Sequence, residues 1–158
     1  MISQSGPTDT SVLYMLTMLR DVLPALPRSA TKAACETVLK LLTLGSSVLV
    51  ATGFSALHGL FSARPAATCL PPDMNSQLVT ALYDYQPGVN DGAPLIAWLA
   101  VQQEGIMNLA QLQPSLAEPH LVRFTTVSLS CLLSDRGEVV KAAGLALRAV
   151  LAEVGNVR

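Results

Sequence analysis

The chain has 158 residues, of which 51% are hydrophobic and 13% are charged, and its net charge is −1. This length predicts one domain, or one slice of a larger one, with a buried core of its own. Because the ten lysines and arginines are scattered and form no basic run, the composition argues against a protein that binds nucleic acid through its own charge.

Apolar residues recur at helical spacing along the whole chain, and the alternation that is typical of strands is nearly absent. The predicted helices span about residues 9–23, 29–45, 47–62, 73–82, 91–112, 118–133 and 135–154. Pro24 and Pro27 end the first of these helices. We expect Asn90 or Asp91 to cap the fifth helix, and Asp135 to cap the seventh.

The mean hydropathy of +0.45 is high for a free-standing soluble domain. Either the chain enters a membrane, or its end faces are covered by neighbouring parts of a longer protein. The membrane candidate is residues 41–63, which carry no Asp, Glu, Lys or Arg and are long enough to span. Ser46 or Ser47 is placed to cap a new helix inside this stretch, so we expect two helices and no membrane span there.

The three cysteines show no metal-binding or disulfide pattern. Cys35, Cys69 and Cys131 form no CxxC pair, and only His58 and His120 are present to join them. Metal sites need clustered ligands, so we expect reduced thiols, no metal and no cofactor.

Several other residues have a structural and a functional interpretation. His58 is expected to be a packed or rim histidine of the third helix, rather than a ligand. The methionines are expected to fill gaps in the core rather than to form a binding stripe; they are Met15, Met18, Met74 and Met107. Arg64, Lys141 and Arg148 are expected to be solvated or to cap carbonyls, with phosphate contact as the alternative.

Part of the chain repeats itself at long range. Residues 46–61 align with residues 135–151, and the pairs Ala56-Leu57 and Ala146-Leu147 coincide at an offset of 90. Two periods of about 45 residues fall in the range of HEAT repeats. We therefore predict an all-α, HEAT or armadillo-like right-handed solenoid of about three helical hairpins, at residues 9–62, 73–112 and 118–154.

The stretch LYDYQPGVNDGAPLIAWL at 82–99 concentrates aromatic and acidic residues. One interpretation is a structural corner between two helices, with Tyr83, Tyr85 and Trp98 half or fully buried. The other makes Asp84 and Asp91 a pair of carboxylates in acid or base roles, which needs a pocket. We expect the corner, with Trp98 in the core, and no enzyme.

This stretch, with GIMNL at 105–109, resembles a block of the ribosomal RNA-processing protein twelve family. The resemblance extends to FSALHGLFSARP at 54–65, LTMLRDVLP at 16–24 and SCLLSDRGEVVKAA at 130–143. Members of that family are several times longer and end in basic tails, so we expect this chain, a single HEAT-repeat segment over residues 1–158, to be a fragment.

The resemblance implies a nuclear and nucleolar protein of HEAT repeats that associates with pre-ribosomal particles and supports ribosomal RNA processing, subunit assembly and export. It implies a non-catalytic scaffold whose partners are pre-ribosomal proteins and, through the full-length protein, ribosomal RNA, with no small-molecule substrate. The alternative is a nuclear transport adaptor that binds a small GTPase or nucleoporins. The binding residues stay unknown, and the segment alone is expected to hold RNA weakly unless folding gathers Arg64, Arg123, Lys141 and Arg148.

Overall fold

The computed structural model of the protein describes residues 2–44, 47–62 and 71–157. The helices are α1 (Ile2–Val22), α2 (Arg28–Leu41), α3 (Ser47–Ser62), α4 (Pro72–Tyr83), α5 (Gly92–Leu112), α6 (Pro114–Cys131) and α7 (Gly137–Val157). Short 3-10 turns follow α1 and α2, at Leu23–Ala25 and Leu42–Leu44. The described residues contain no strand, and the predicted all-α, HEAT-like fold is confirmed.

The helices form two layers. In one layer α1, α3, α5 and α7 pack side by side in that order, and in the other layer α2, α4 and α6 follow one another. The first layer has a strict period, because its helices begin at Ile2, Ser47, Gly92 and Gly137, each 45 residues after the one before. The period of about 45 residues that the self-comparison predicted is therefore the spacing between neighbouring helices of one layer.

The last helix, α7, buries a single stripe of residues. On α7 the buried stripe consists of Val139, Ala143, Ala146 and Val150, spaced by four, three and four residues. This is the spacing that places side chains on one face of a helix. The opposite face carries the exposed Lys141 and leaves the helix amphipathic.

Two glycines let helices approach closely, one between α3 and α1 and the other where α5 meets α4 and α3. A Cβ atom at Gly59 of α3 would lie 2.6 Å from the backbone oxygen of Arg20 on α1. A Cβ atom at Gly105 of α5 would lie 2.9 Å from a methyl group of Val79 and 3.3 Å from the ring of Phe61. Since Cβ atoms do not pack at the two distances below 3.0 Å, the absence of a side chain sets the spacing of these helices.

Two helices begin earlier than predicted. The first helix starts at Ile2 rather than Asp9 and runs through Pro7 without a break. The sixth starts at Pro114 rather than Glu118 and contains Pro119 in its second turn. Proline is favoured at the first helical position, because its missing N–H has no helical partner there.

Both predicted aspartate caps are corrected. Asp91 occupies the N-cap position of α5, but its carboxylate accepts a hydrogen bond from the backbone N–H of Gly88 at 3.0 Å. It therefore holds the preceding turn rather than the helix start. At α7 the first helical carbonyl belongs to Arg136, and Asp135 lies one residue before this cap position.

Some predictions fall on residues outside the described part of the chain. These are the helix end at Gly45, the cap at Ser46, the side chain of Ser47, Arg64 and Cys69. The membrane candidate 41–63 divides into the end of α2, a 3-10 turn and the 16-residue α3. Within the described residues, no helix combines the length and the apolar character that crossing a bilayer requires.

Candidate functional site

The aromatic stretch forms the corner between α4 and α5. Trp98 lies on the second turn of α5 with none of its surface exposed, and its indole N–H donates to the carbonyl oxygen of Leu82 at 2.7 Å. Leu82 belongs to the last turn of α4, and its carbonyl oxygen also accepts the backbone N–H of Tyr85 at 3.2 Å. The ring of Trp98 packs edge-on against Tyr83 and stacks on Phe124 of α6. The prediction that Trp98 lies in the core is therefore confirmed.

Tyr83 connects this corner to α6. Its hydroxyl donates to the backbone oxygen of His120 at 3.3 Å, and the guanidinium of Arg123 lies 4.1 Å from the centre of its ring. Burial raises the pKa of the Tyr83 phenol above its ordinary value, and the positive charge of Arg123 opposes this rise. The phenol therefore stays neutral and acts as a hydrogen-bond donor, while Arg123 is held in place by a cation–π contact.

His120 is buried between α4 and α6. Its Nε2 atom lies 3.1 Å from the hydroxyl oxygen of Ser76, and its ring stacks on Tyr83. Burial lowers the pKa of His120, and the charge of Arg123 lowers it further. The imidazole is therefore neutral at physiological pH and serves as a packing and hydrogen-bonding group.

Two asparagines form a second polar contact between α4 and α5. Asn75 is fully buried, and its side-chain amide donates to the carbonyl oxygen of Gly105 at 3.0 Å. Asn108 donates in turn to the side-chain oxygen of Asn75 at 2.6 Å. One turn away, Gln102 donates to the carbonyl oxygen of Val79 at 3.1 Å. These amides replace water at buried backbone carbonyls and fix the register of the two helices.

The sequence did not single out this amide network. Asn75, Gln102 and Asn108 each lie within a helix among apolar residues, and this pattern is also that of a polar helix surface. The signal for their burial is the spacing itself, because Gln102 and Asn108 occur on the same side of α5 as Trp98 and Gly105. We name these contacts, with Trp98, Tyr83, His120 and Arg123, the α4–α5–α6 junction.

The two carboxylates of the aromatic stretch line one surface groove. This turn groove has a volume of about 350 Å³ and is lined by Leu42, Val50, Asp84, Tyr85, Gln86, Pro87, Asp91 and Pro94. Asp84 and Asp91 are both exposed to solvent, and Asp91 also holds the backbone of Gly88. The structure therefore places both predicted carboxylates at one surface groove of the corner. One of them, Asp91, also has a structural role, because it accepts the backbone N–H of Gly88.

The predicted basic residues are divided between two helices. Arg123 lies on α6 over Tyr83, whereas Lys141 and Arg148 are exposed on α7, two helical turns apart and on the same side. Arg123 is thus held by the ring of Tyr83. Lys141 and Arg148 form a pair on one face of α7.

The remaining candidate ligands do not cluster within the described residues. Cys35 and Cys131 are free and buried, and the described histidine, cysteine and acidic residues form no group of three that would hold a metal. His58 is half-buried on α3, as predicted, and burial lowers its pKa. Met74 and Met107 pack against the core, but Met15 and Met18 are exposed on α1, so the gap-filling prediction is wrong for these two.

Comparison with known proteins relates the chain to a segment of much longer proteins. It is 41% identical over 154 residues to the RRP12-like protein of Gallus gallus and 42% identical to that of Homo sapiens, in each case over 96% of this chain. A third relative, the RRP12-like protein of Drosophila melanogaster, is 33% identical over 83% of the chain. The chain spans 12% of the length of the chicken and human relatives. No protein-family model matches it.

Proposed function

This chain belongs to the RRP12-like family, and from that premise we propose that it is a non-catalytic scaffold segment of a ribosome-biogenesis factor. In this role its stacked helices contact proteins of the maturing ribosomal subunits. Such contacts would support the processing of precursor ribosomal RNA and the assembly and export of the subunits. The observation that carries the proposal is the match to the chicken and human relatives across 96% of the chain.

The α4–α5–α6 junction supports a scaffold role for this segment. Trp98, Tyr83 and Asn75 each direct a polar atom to a backbone carbonyl of a neighbouring helix. Groups that donate to buried carbonyls in this way hold the helices in register. Their donors are used inside the fold and do not contact a partner protein. The aromatic stretch therefore builds a stiff corner, and the outer surfaces of the repeats are left to bind partners.

We place this function in the nucleus and nucleolus, with proteins of pre-ribosomal particles as the partners of the segment. Contact with ribosomal RNA is assigned to the full-length protein, because this segment has a net charge of −1. The segment acts as one unit of HEAT repeats, whose hairpins are α2–α3, α4–α5 and α6–α7, with α1 stacked before them.

The test is affinity purification of the full-length protein that carries this segment, followed by sequencing of the bound RNA and identification of the bound proteins. Precursor ribosomal RNA and ribosomal proteins are expected together. A Trp98→Ala variant, which disrupts the junction, should lose partners of this segment, whereas Trp98→Phe, which keeps a ring between Tyr83 and Phe124, should keep them. Recovery of neither precursor RNA nor ribosomal proteins would refute the proposal.

A second candidate is a nuclear transport adaptor that binds a small GTPase or nucleoporins. One observation favours it: an apolar groove of about 180 Å³ lies between the outer helices α2 and α4. Cys35, Leu39, Met74 and Leu78 line it, flanked by Lys32 and Glu36. The same purification distinguishes the candidates, since a small GTPase recovered without precursor RNA would favour the adaptor.

A further inference from the structure

The second layer of helices also repeats. Its first two helices, α2 and α4, begin at Arg28 and Pro72, 44 residues apart. A residue of α2 therefore corresponds to the residue 44 positions later in α4, so that Leu39 corresponds to Tyr83. The contact of α4 with the next helix of this layer, α6, shows what the corresponding contact of α2 with α4 lacks.

A phenol ring fills the space between α4 and α6. The ring of Tyr83 stacks on the imidazole of His120, and its hydroxyl donates to the backbone oxygen of His120 at 3.3 Å. The guanidinium of Arg123 lies 4.1 Å from the centre of the same ring. The contact between these two helices therefore combines an aromatic ring, a hydrogen bond at its edge and a cation over its face.

Between α2 and α4 the corresponding residue is a leucine, Leu39, and a groove lies beside it. This α2–α4 groove has a volume of about 180 Å³, and its apolar walls are Cys35, Leu39, Met74, Leu78 and Ala81. Burial raises the pKa of the Cys35 thiol to about 12, so this wall is uncharged at physiological pH. An apolar space of about 150 Å³ is enough to hold a benzene ring. The groove therefore has room for one aromatic side chain.

Polar side chains surround the opening of the groove. Lys32 and Glu36 are exposed on successive turns of α2, and Gln77 is exposed on α4. They supply the same kinds of contact that surround Tyr83, because an ammonium group can lie over a ring and a carboxylate can accept a phenolic O–H. A tyrosine matches both the apolar walls and this rim, whereas a phenylalanine matches the walls alone.

We propose that the α2–α4 groove is a docking site for a tyrosine side chain of a partner protein. The ring enters between Leu39 and Leu78, and its hydroxyl donates to the carboxylate of Glu36 at the rim. The docked ring continues the arrangement that joins α4 to α6. Tyrosines that fill desolvated pockets are among the residues that contribute most to binding.

This docking site depends only on two described helices. The groove lies between α2 and α4, so repeats stacked before α2 or after α7 in a longer chain would meet the ends of the array and not this groove. The inference is independent of the proposed function, because it names the chemistry of the anchoring side chain and holds for a ribosomal partner and a transport partner alike.

The test is an NMR titration of the isotope-labelled chain with N-acetyl-L-tyrosinamide. Backbone amide signals around Cys35 and Leu78 should shift and saturate at millimolar concentrations of this small ligand. N-acetyl-L-phenylalaninamide should bind about three- to tenfold more weakly, because it lacks the hydroxyl. N-acetyl-L-leucinamide, which also lacks the ring, should bind at least about tenfold more weakly. Glu36→Ala should weaken binding of the tyrosine amide and leave that of the phenylalanine amide unchanged.

Variants that fill the groove give the decisive result. Leu39→Tyr supplies from α2 the ring that α4 carries at the corresponding position, and Ala81→Leu fills the groove from the opposite wall. Each should weaken binding of the tyrosine amide by at least about tenfold, because the space for its ring is occupied. Thr37→Tyr is the matched control, since it adds the same ring to α2 at an exposed position outside the groove.

Circular dichroism of each variant checks that the helices persist. The inference would be overturned by amide shifts that do not saturate or that lie outside α2 and α4. It would equally be overturned by a leucine amide that binds as tightly as the tyrosine amide, or by folded groove-filling variants that bind like the parent or like Thr37→Tyr.

Discussion

The indole N–H of Trp98 lies 2.7 Å from the carbonyl oxygen of Leu82, sixteen residues earlier in the chain. This hydrogen bond joins the second turn of one helix to the last turn of the helix before it. The ring itself is fully buried between Tyr83 and Phe124. One side chain thus connects three helices through both packing and a polar contact.

Replacing Trp98 should separate these two contributions. We expect Trp98→Ala to lower the free energy of unfolding by about 3 to 5 kcal/mol, because it leaves a large cavity. Trp98→Phe should cost about 0.5 to 1.5 kcal/mol for the lost hydrogen bond, since the carbonyl of Leu82 keeps the backbone N–H of Tyr85 as a donor. Denaturant melts followed by circular dichroism measure both, and Tyr14→Ala on an exposed residue should stay within about 0.5 kcal/mol of the parent. A loss below about 1 kcal/mol for Trp98→Ala would contradict the buried position.

Two glycines of one layer should respond oppositely to alanine. Gly59→Ala should destabilise by about 1 to 3 kcal/mol, because its Cβ would meet the backbone oxygen of Arg20, which has little freedom to move. Gly144→Ala places its methyl group in open space and should stabilise α7 by up to about 1 kcal/mol through helix propensity. Thermal melts of the two variants at a low protein concentration test the pair, and equal effects would be evidence against the close approach of α1 and α3.

The buried asparagines should be energetically coupled. Asn75→Ala should cost about 1 to 3 kcal/mol, because it removes the donor to Gly105 and the acceptor for Asn108 together. In a double-mutant cycle with Asn108→Ala, the coupling should be about 0.5 to 3 kcal/mol. Gln77→Ala on the exposed side of α4 provides the control. Additive losses would mean that the two amides act separately.

Stability should fall on acidification through the titration of His120. Its pKa is lowered in the folded chain, by burial and then by Arg123, from an ordinary value of 6.5. The unfolded chain therefore binds more protons as the pH drops through 6.5, and the free energy of unfolding decreases until the folded histidine is itself protonated. His58 has a pKa shifted in the same direction. Urea melts between pH 7 and pH 5 give the free energy of unfolding at each pH. Its dependence on pH should be weaker for His120→Gln than for the parent, and weakest for the double variant with His58→Gln. Identical pH dependence in all three chains would refute this assignment.

The isolated segment should bind RNA only weakly. Ten basic residues stand against eleven acidic ones, and the described bases are spread over α1, α2, α6, α7 and the turn before α7. Few phosphates are then neutralised together, so a titration with precursor ribosomal RNA at physiological salt should give a dissociation constant no better than about 10⁻⁴ to 10⁻⁶ M. Submicromolar binding with a steep salt dependence would contradict this expectation and make the segment an RNA-contacting face.

The sequence was informative about the repeat and the corner for a definite reason. Helical spacing of apolar residues and the turn around Gly88 are local features, and they predicted seven helices and the burial of Trp98. The alignment of Ala56 with Ala146 carried the period, since both residues are buried at the same place in repeats that are two periods apart. Predictions from local sequence patterns match the fold wherever the burial of a residue depends only on the face of the helix that carries it.

The remaining contacts depend on partners far along the chain. Ser76 and His120 are 44 residues apart, and neither residue type indicates that the other will be its neighbour. Asp91 was expected to cap a helix, yet its carboxylate reaches back to Gly88, which competes for the same oxygens. Met15 and Met18 lie on a stripe that would be buried in an interior helix, but no described helix covers α1 on that side.

The 45-residue spacing of the first layer also shapes how the chain folds and opens. Each helix makes its main contacts with helices less than two repeats away, so no pairing requires closure of a long loop. Folding should therefore be fast for a chain of this size, and it should start in whichever hairpin is most stable. The central hairpin, α4–α5, has neighbours on both sides, while α1 has one. Backbone amides should accordingly exchange with solvent most slowly in α5 and progressively faster toward the two ends. This pattern is expected if folding begins in the central hairpin and spreads outward.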